Sequence, residues 1–186
     1  MKKKIWVPAA VLLAICVIAT ALVACVNAVT KDPIKENQTA AAQATMQKLI
    51  PDADFTLLEG EYGEAVTSVY KAEQNGSLVG YIFNTLGEGG YGGALPVTTA
   101  LSPEGKVLGV EVDVSSETPG LGQNAAKASF LDQFKSDASR FILNKDKTNE
   151  TEGVIDALSG ASKSSRAVTN GVNAAKEAFA KVGDAK

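Results

Sequence analysis

The sequence contains no histidine, and its two cysteines, Cys16 and Cys25, both lie inside one apolar run near the N-terminus. The usual haem ligand, the commonest zinc ligand and the default general base are therefore missing. Because no cysteine follows Cys25, the polar part of the chain has no thiol for a disulfide, a metal site or a nucleophile. We expect no metal site, and any redox chemistry needs an organic cofactor.

The chain also lacks a basic cluster beyond its first few residues. Its formal net charge is −3, and the positive charges of Lys2, Lys3 and Lys4 all precede the apolar run. The remainder is mildly acidic, whereas nucleic-acid-binding domains present a basic patch or stripe. We therefore expect no nucleic-acid partner.

A long apolar run covers positions 5–26 and is interrupted only by Pro8 and Thr20. As a helix it would be about 33 Å long, enough to cross a hydrocarbon core of about 30 Å. Pro8 falls in the first turn, where its missing N–H costs little. Because positively charged flanks stay in the cytoplasm, the preceding lysines predict a single-pass cell-membrane protein with a cytoplasmic N-terminus and an extracytoplasmic domain.

Two other interpretations of this run stay open. A cleaved signal peptide would have an apolar core of roughly 7–15 residues and a small-residue cleavage site. Residues 22–25 (LVAC) resemble a bacterial lipobox, which would make Cys25 a lipidated N-terminus. All three interpretations put the following domain on the same side of the membrane.

The remaining pattern predicts a linker helix and then one α+β domain with an antiparallel sheet and flanking helices. Alternating β-branched residues mark 107–114 as the strongest strand, and Asn75-Gly76 is typical of a hairpin turn. We predict helices at 34–50, 124–134 and 163–181, and strands at 55–59, 66–73, 78–84, 94–101, 107–114 and 141–144. The predicted boundaries are 1–29 for the N-terminus and anchor, 30–51 for the juxtamembrane linker helix, and 52–186 for the domain.

A serine-rich segment, DALSGASKSSR at 156–166, stands at the start of the last predicted helix. A helix N-terminus presents unpaired N–H groups and a partial positive charge, and Gly160 would let the backbone approach an anion closely. Several serine hydroxyls and the fork of Arg166 could add hydrogen bonds, so the segment suits a phosphate. From local chemistry alone, Ser159 or Ser162 could instead be only an N-cap in a polar loop.

DALSGAS resembles the flavinylation motif of the FMN-binding domain family, in which an aspartate stands six residues before a hydroxyl residue that ends an S/T-G-A-T/S tetrapeptide. The resemblance implies that a flavin transferase moves one FMN from FAD onto Ser162, and that Asp156 is recognised by that enzyme. Most relatives have threonine at the attachment position, and serine supplies the same oxygen nucleophile. The other cofactor-binding residues that it implies here are Ser159, Gly160, Ala161, Lys163, Ser164 and Ser165.

A second motif, ETPGLG at 117–122, is similar to a loop in the G subunits of Rnf complexes and in the C subunits of sodium-translocating NADH:quinone oxidoreductases. In those families the loop lies against the isoalloxazine ring. Taken alone, the motif could be a surface turn. The residues carried over are Glu117, Thr118, Pro119, Gly120, Leu121 and Gly122, with Thr118 able to bond the ring edge and Leu121 able to cover its face.

Both motifs behind one anchor resemble the Rnf G-subunit family, as does the pattern of Asn27, Thr30, Pro33 and Ile34 at the end of the anchor. The resemblance implies a covalent FMN-binding domain at 52–186 and an electron-transfer subunit of a membrane complex. That complex couples ferredoxin:NAD+ electron transfer to Na+ or H+ translocation, and its other membrane subunits are the implied partners. The subunit would have no catalytic residues and no independent activity.

Two further functions and one loop stay open. The chain could be a free-standing flavinylated membrane protein or lipoprotein of extracellular electron transfer, or an anchored binding module without redox chemistry. The glycine-rich segment 87–93 (GEGGYGG) could cradle the ligand with Tyr91 stacked on the flavin, or could be a flexible hairpin connection. It is no dinucleotide fingerprint, because the strand–turn–helix context is missing.

Overall fold

The computed structural model describes residues 3–146 and 152–183. The chain divides into two compact units, Met1–Ala44 and Thr45–Lys186. The predicted boundaries of the anchor, the linker helix and the domain, after residues 29 and 51, stay predictions.

The first unit belongs to one long helix, α1 (Lys3–Leu49), which joins the predicted helical stretches at 5–26 and 34–50. Its segment Pro8–Asn27 has a mean hydropathy of 2.9, and none of that segment is buried. Leu12 and Ile18 are 63% and 60% exposed. The segment is therefore long and apolar enough to cross a membrane.

The second unit is built on an antiparallel meander in which each strand pairs with the next along the chain. Asn75 and Gly76 have φ of 51° and 78°, the positive values that a tight hairpin turn requires. The predicted strands are confirmed with small shifts at their ends. They are β1 (Asp54–Leu58), β2 (Val66–Gln74), β3 (Ser77–Gly87), β4 (Leu95–Leu101) and β5 (Val107–Val112).

Alternation along the strands gives the sheet two buried faces. Phe83 on β3 belongs to the larger core, which packs against the C-terminal helix α3 (Ser162–Gly183) through residues such as Val168 and Val172. Its neighbour Ile82 points to the other face, where it packs with Met46 from the last turn of α1. The α+β class with an antiparallel sheet and flanking helices is therefore confirmed.

Two glycines let α3 approach the sheet closely. A Cβ on Gly87, the last residue of β3, would overlap the carbonyl oxygen of Ala167, and one on Gly171 would lie 2.7 Å from Cγ2 of Val97. The buried Thr85 hydroxyl donates to the carbonyl oxygen of Gly171 at 3.0 Å. This contact fixes where the N-terminus of α3 lies at the end of the sheet.

The predicted single helix at 124–134 is wrong. The chain instead forms a 3-10 turn (Gly122–Ala126), a short helix α2 (Ala128–Leu131) and a second 3-10 turn (Asp132–Phe134), with Lys127 extended at ψ 141°. At about 100° per residue, a regular helix would put Ala125 about 180° from Phe134. Both side chains are fully buried, so the break at Lys127 lets both face the core.

The segment before α3 carries a small parallel ladder, β6 (Ile142–Leu143) with β7 (Val154–Ile155). The predicted strand at 141–144 is confirmed, whereas the two residues of β7 were too short for a periodic signal. Asn173 on α3 clamps this segment, because its amide accepts from the Phe141 N–H and donates to the Phe141 carbonyl, both at 2.8 Å.

Two buried threonines in the sheet give opposite stability predictions. Among the described residues, the Thr99 hydroxyl is buried without a hydrogen-bond partner, whereas Thr85 donates to carbonyl oxygens. We expect Thr99→Val to stabilise the fold by about 1 kcal/mol, because it removes an unsatisfied polar group without changing shape. That corresponds to about 2–4 °C in Tm, measured by thermal unfolding of the chain in detergent.

Thr85→Val is the matched control, because it makes the same change on the neighbouring strand. It should lower Tm, since the lost hydroxyl bonds two carbonyl oxygens. If Thr99→Val lowered Tm as much as Thr85→Val does, the Thr99 hydroxyl would have a hydrogen-bond partner, and its assignment as unsatisfied would be wrong.

Candidate functional site

A cleft of about 590 Å³ opens where the start of α3 meets the loop that follows β5. Its size falls within the range typical of small-molecule sites, about 300–1,000 Å³. Both sequence motifs contribute to its walls. The lining residues are Tyr91, Glu117, Thr118, Leu121, Gly122, Lys145, Gly160, Ala161, Ser162, Lys163 and Ser164.

The Glu117 carboxylate joins the three segments that form the cleft. The side chain is 3% exposed, and its Oε1 accepts from the backbone N–H groups of Tyr91 and Gly92 at 2.9 and 3.2 Å. Its Oε2 accepts from the Ser164 hydroxyl at 2.6 Å. Because a carboxylate is costly to bury unless it is hydrogen-bonded, these three donors hold the glycine-rich loop and α3 against the 117–122 loop.

Glycines make room for this carboxylate. A Cβ on Gly122 would overlap Oε2 of Glu117 and lie 2.7 Å from the Ser164 hydroxyl oxygen. A Cβ on Gly90 would lie 3.0 Å from Oε1 of Glu117. The glycines of two different loops are therefore needed for close approach to the same side chain.

The serine-rich motif forms the turn into α3. Gly160 has φ of 75°, a value that favours glycine, and a Cβ there would lie 3.2 Å from Cδ2 of Leu121. The two motifs therefore contact each other. Ser162, the first residue of α3, is half-buried at the edge of the cleft. The first N–H groups of a helix have no partner within it, so this end favours an anion.

The neighbouring serines bond within the protein. The Ser164 hydroxyl donates to Glu117, and the buried Ser165 hydroxyl donates to the Ala161 carbonyl and accepts from the Leu158 N–H, both at 3.0 Å. Arg166 extends its guanidinium to both oxygens of Asp146, at 2.7 and 2.6 Å. Of the two serines that line the cleft, Ser164 donates to a protein carboxylate, whereas no such contact engages Ser162 among the described residues.

One cation at Ser162 comes from outside both motifs. Lys145 Nζ donates to the Ser162 hydroxyl at 2.9 Å. The adjacent Asn144 donates its side-chain N–H to Asp156 Oδ1 at 2.7 Å. The turn that carries Lys145 is therefore attached to the aspartate of the serine-rich motif.

The cleft lining also offers uncovered apolar and aromatic surface. Tyr91 is 73% exposed and Leu121 is 47% exposed. Lys163 Nζ lies 5.9 Å from the centroid of the Tyr91 ring, within the range of a cation–π contact. The cleft lining thus combines a polar part, at Ser162 and Lys145, with an aromatic and apolar part, at Tyr91 and Leu121.

The structure brings most of the sequence-predicted site residues together. The cleft is lined by Glu117, Thr118, Leu121, Gly122, Gly160, Ala161, Ser162, Lys163 and Ser164. Outside its lining lie Asp156, Ser159 and Ser165 near the start of α3, and Pro119 and Gly120 in the other loop. Sequence reasoning missed Lys145, whose type and position carry no motif signal, and it left Tyr91 open.

Comparisons with families of known proteins cover both units. The profile of the FMN-binding domain matches residues 90–177, a range that contains every residue lining the cleft. The profile of the RnfG N-terminal region matches residues 1–49, where α1 lies.

Curated relatives align over most of their length. The chain is 35% identical over 164 residues to the G subunit of the proton-translocating ferredoxin:NAD(+) oxidoreductase complex of Clostridium ljungdahlii, covering 87% of this chain and 84% of the relative. It is 34% identical over 178 residues to the G subunit of the Na(+)-translocating ferredoxin:NAD(+) oxidoreductase complex of Acetobacterium woodii, covering 88% and 86%.

Solved structures share the fold at lower identity. The C subunit of the Na(+)-translocating NADH-quinone reductase from Parabacteroides distasonis gives a TM-score of 0.54 at 20% identity, covering 76% of this chain and 82% of that one. Shewanella oneidensis NqrC gives 0.50 at 20% identity, covering 72% and 70%. The family matches and the curated relatives confirm the resemblance inferred from the two motifs. The chain belongs to the family of G subunits of Rnf complexes.

Proposed function

We propose that this chain is the electron-transfer subunit of a membrane-bound Rnf complex and carries one FMN, joined through its phosphate to Ser162. The observation that carries the proposal is the single cleft in which the two motifs meet, with the Ser162 hydroxyl at its edge. Both curated relatives are named as subunits of ferredoxin:NAD(+) oxidoreductase complexes, one proton-translocating and one Na(+)-translocating. We infer the same reaction, coupled to translocation of one of these ions.

The polar part of the cleft lining, at Ser162 and Lys145, fits a phosphate. Ser162 supplies the oxygen, the start of α3 supplies N–H groups, and Lys145 supplies a positive charge 2.9 Å from that oxygen. A phosphodiester formed here would carry one negative charge. It would meet the ammonium group of Lys145, while the carboxylate of Glu117 is directed to its own three donors.

The aromatic and apolar part of the lining fits a flat aromatic ring system. Tyr91 and Leu121 expose large side-chain surfaces at the cleft, and an uncovered apolar surface at a concave site favours an apolar ligand. When bound, FMN supplies one- and two-electron redox chemistry that the side chains of this chain lack.

Attachment would be a transfer from FAD catalysed by a separate flavin transferase. A bond forms between the Ser162 oxygen and the phosphorus on the FMN side, and the pyrophosphate P–O bond breaks. AMP leaves with the bridging oxygen, and the hydroxyl proton is released. This chain contributes a half-buried hydroxyl held at a defined position by the turn at Gly160.

The apolar part of α1 supports the proposed membrane arrangement. The apolar segment Pro8–Asn27 would anchor the chain, with Lys2 to Lys4 in the cytoplasm and the cofactor domain on the opposite side. The other membrane subunits of the complex would exchange electrons with the flavin. A covalent link suits this location, because a dissociated cofactor would be lost outside the cell.

Attachment is tested by denaturing gel electrophoresis of the full chain made together with its flavin transferase. We expect an in-gel fluorescent band for the parent and none for Ser162→Ala, because that variant lacks the attacking oxygen. Ser159→Ala is the control: this serine lies outside the cleft lining, so the band should persist. Fluorescence that survives Ser162→Ala would place the attachment on another residue and contradict the proposal.

The proposed contact between Leu121 and the flavin ring is tested by Leu121→Ala. Leu121 is half-exposed, so we expect Tm of the flavin-free chain to change little. In the flavinylated chain the flavin should stay attached, and its reduction potential should shift because one face of the ring loses its cover. A potential equal to that of the parent would show that Leu121 does not contact the ring.

Glu117→Ala should behave differently, since it leaves the partners of a buried carboxylate unsatisfied. We expect it to lower the free energy of unfolding of the flavin-free chain by about 3 kcal/mol. Chemical unfolding followed by near-UV circular dichroism measures the change. Unaltered stability would contradict the three hydrogen bonds assigned to Glu117.

A further inference from the structure

We propose that Lys145 is the phosphate-binding cation of this site: its ammonium group pairs with the phosphodiester on Ser162 and holds it at the start of α3. The inference rests on the proposed function, because it needs a phosphoryl group at Ser162. It adds a residue that lies outside the flavinylation motif and outside the 117–122 loop. Lys145 binds the phosphate directly, and the residues that hold its turn are positioning residues.

The position of the ammonium group is the first observation. Lys145 Nζ lies 2.9 Å from the Ser162 hydroxyl oxygen and donates to it, although the two residues are separated by 17 positions in the chain. Both residues line the cleft. A phosphorus bonded to this oxygen would bring its two non-bridging oxygens, which share one negative charge, within reach of the same ammonium group, which has three N–H donors.

The turn that carries Lys145 is held on both sides. Before it, the Asn144 amide donates to Asp156 Oδ1 at 2.7 Å. After it, both oxygens of Asp146 accept from Arg166, at 2.7 and 2.6 Å. A lysine loses conformational entropy when it binds a ligand. Because both neighbours of Lys145 are held, the backbone contributes less to that loss.

The charges of the other nearby cations are directed elsewhere. The Arg166 guanidinium is bonded to the Asp146 carboxylate, so its charge is already paired. Lys163 Nζ is directed to the Tyr91 ring. Lys145 is therefore the cation of the cleft that contacts the attachment oxygen, and it complements the partial positive charge of the helix N-terminus.

This arrangement also gives Asp156 a physical connection to the attachment site. Asp156 lies outside the cleft lining, yet its carboxylate holds Asn144, the residue next to Lys145. Asp156 thus positions the turn whose lysine contacts Ser162. Asp156 follows β7 directly and Ser162 begins α3, so the two residues flank the loop that joins these elements.

The experiment compares the melting temperatures of the full chain in detergent with and without flavin, the flavin-free form being made without the transferase. The variants are Lys145→Met, Lys145→Arg and, as a matched loss of one charge, Lys106→Met in the exposed turn between β4 and β5. In-gel fluorescence and intact mass report the fraction of each that carries flavin. We expect flavinylation to raise Tm of the parent, because a new ion pair forms only in that state.

Lys145→Met should show a smaller gain than the parent, because only the ring contacts remain, while its flavin-free Tm equals that of the parent. Lys145→Arg and Lys106→Met should keep the full gain. Salt supplies a second readout. Between about 0.1 M and about 1 M salt the Debye length falls from about 10 Å to about 3 Å. The gain should therefore shrink with salt in the parent and stay constant in Lys145→Met.

The outcomes separate this inference from the proposed function. A gain in Lys145→Met equal to that of the parent overturns the inference alone, since the flavin is attached. If Lys145→Met folds but is not flavinylated, attachment restored in Lys145→Arg supports the inference, and no attachment in either variant overturns it. A parent without flavin overturns the proposed function and the inference together.

Discussion

The hydrogen bonds of the buried Glu117 carboxylate are the constraint on which the cleft depends. This one side chain joins the glycine-rich loop after β3, the loop after β5 and the first turn of α3. Burying a carboxylate is costly, and three donors offset that cost only if the three segments come close together. The glycines at 90 and 122 make that approach possible, since a Cβ at either position would crowd the carboxylate.

The sheet determines where this junction forms. Gly87 and Gly171 allow α3 to pack directly on β3 and β4, and the Thr85 hydroxyl bonds the Gly171 carbonyl at the contact. Asn173 then holds the backbone of Phe141 against the same helix. The helix therefore presents its N-terminus, with its first serine, beside both the 117–122 loop and the turn at 144–146. The position of the Ser162 hydroxyl follows from packing that lies more than one turn of helix away from it.

Much of this arrangement could be predicted from the sequence, because the signals were local. Period-two alternation located β2, β3 and β5, and helical periodicity located α3 within two residues at each end. The two motifs were predicted to share one site, and the structure brings them into contact through Leu121 and Gly160. The break at Lys127 was not predictable, because it arises from the need to bury both Ala125 and Phe134 in one core.

The interactions that sequence reasoning missed are long-range. The placement of Glu117 beside a flavin ring stays a prediction. The hydrogen bonds that it accepts from two loop N–H groups and a serine hydroxyl were not expected, because only the folded chain brings these groups near. Arg166 was considered for the phosphate, and the structure pairs it with Asp146. Lys145 belongs to no motif, and its contact with Ser162 depends on how the β6–β7 ladder packs against α3.

The central claim is that the oxygen of Ser162 carries the phosphorus of a flavin nucleotide. Mass spectrometry of the protein purified from its native membrane, first intact and then as peptides, tests it most directly. The account predicts an intact mass higher by one FMN less one water, and a fragment series that locates the added mass on Ser162. A protein without the added mass, or with the adduct on another residue, would contradict it.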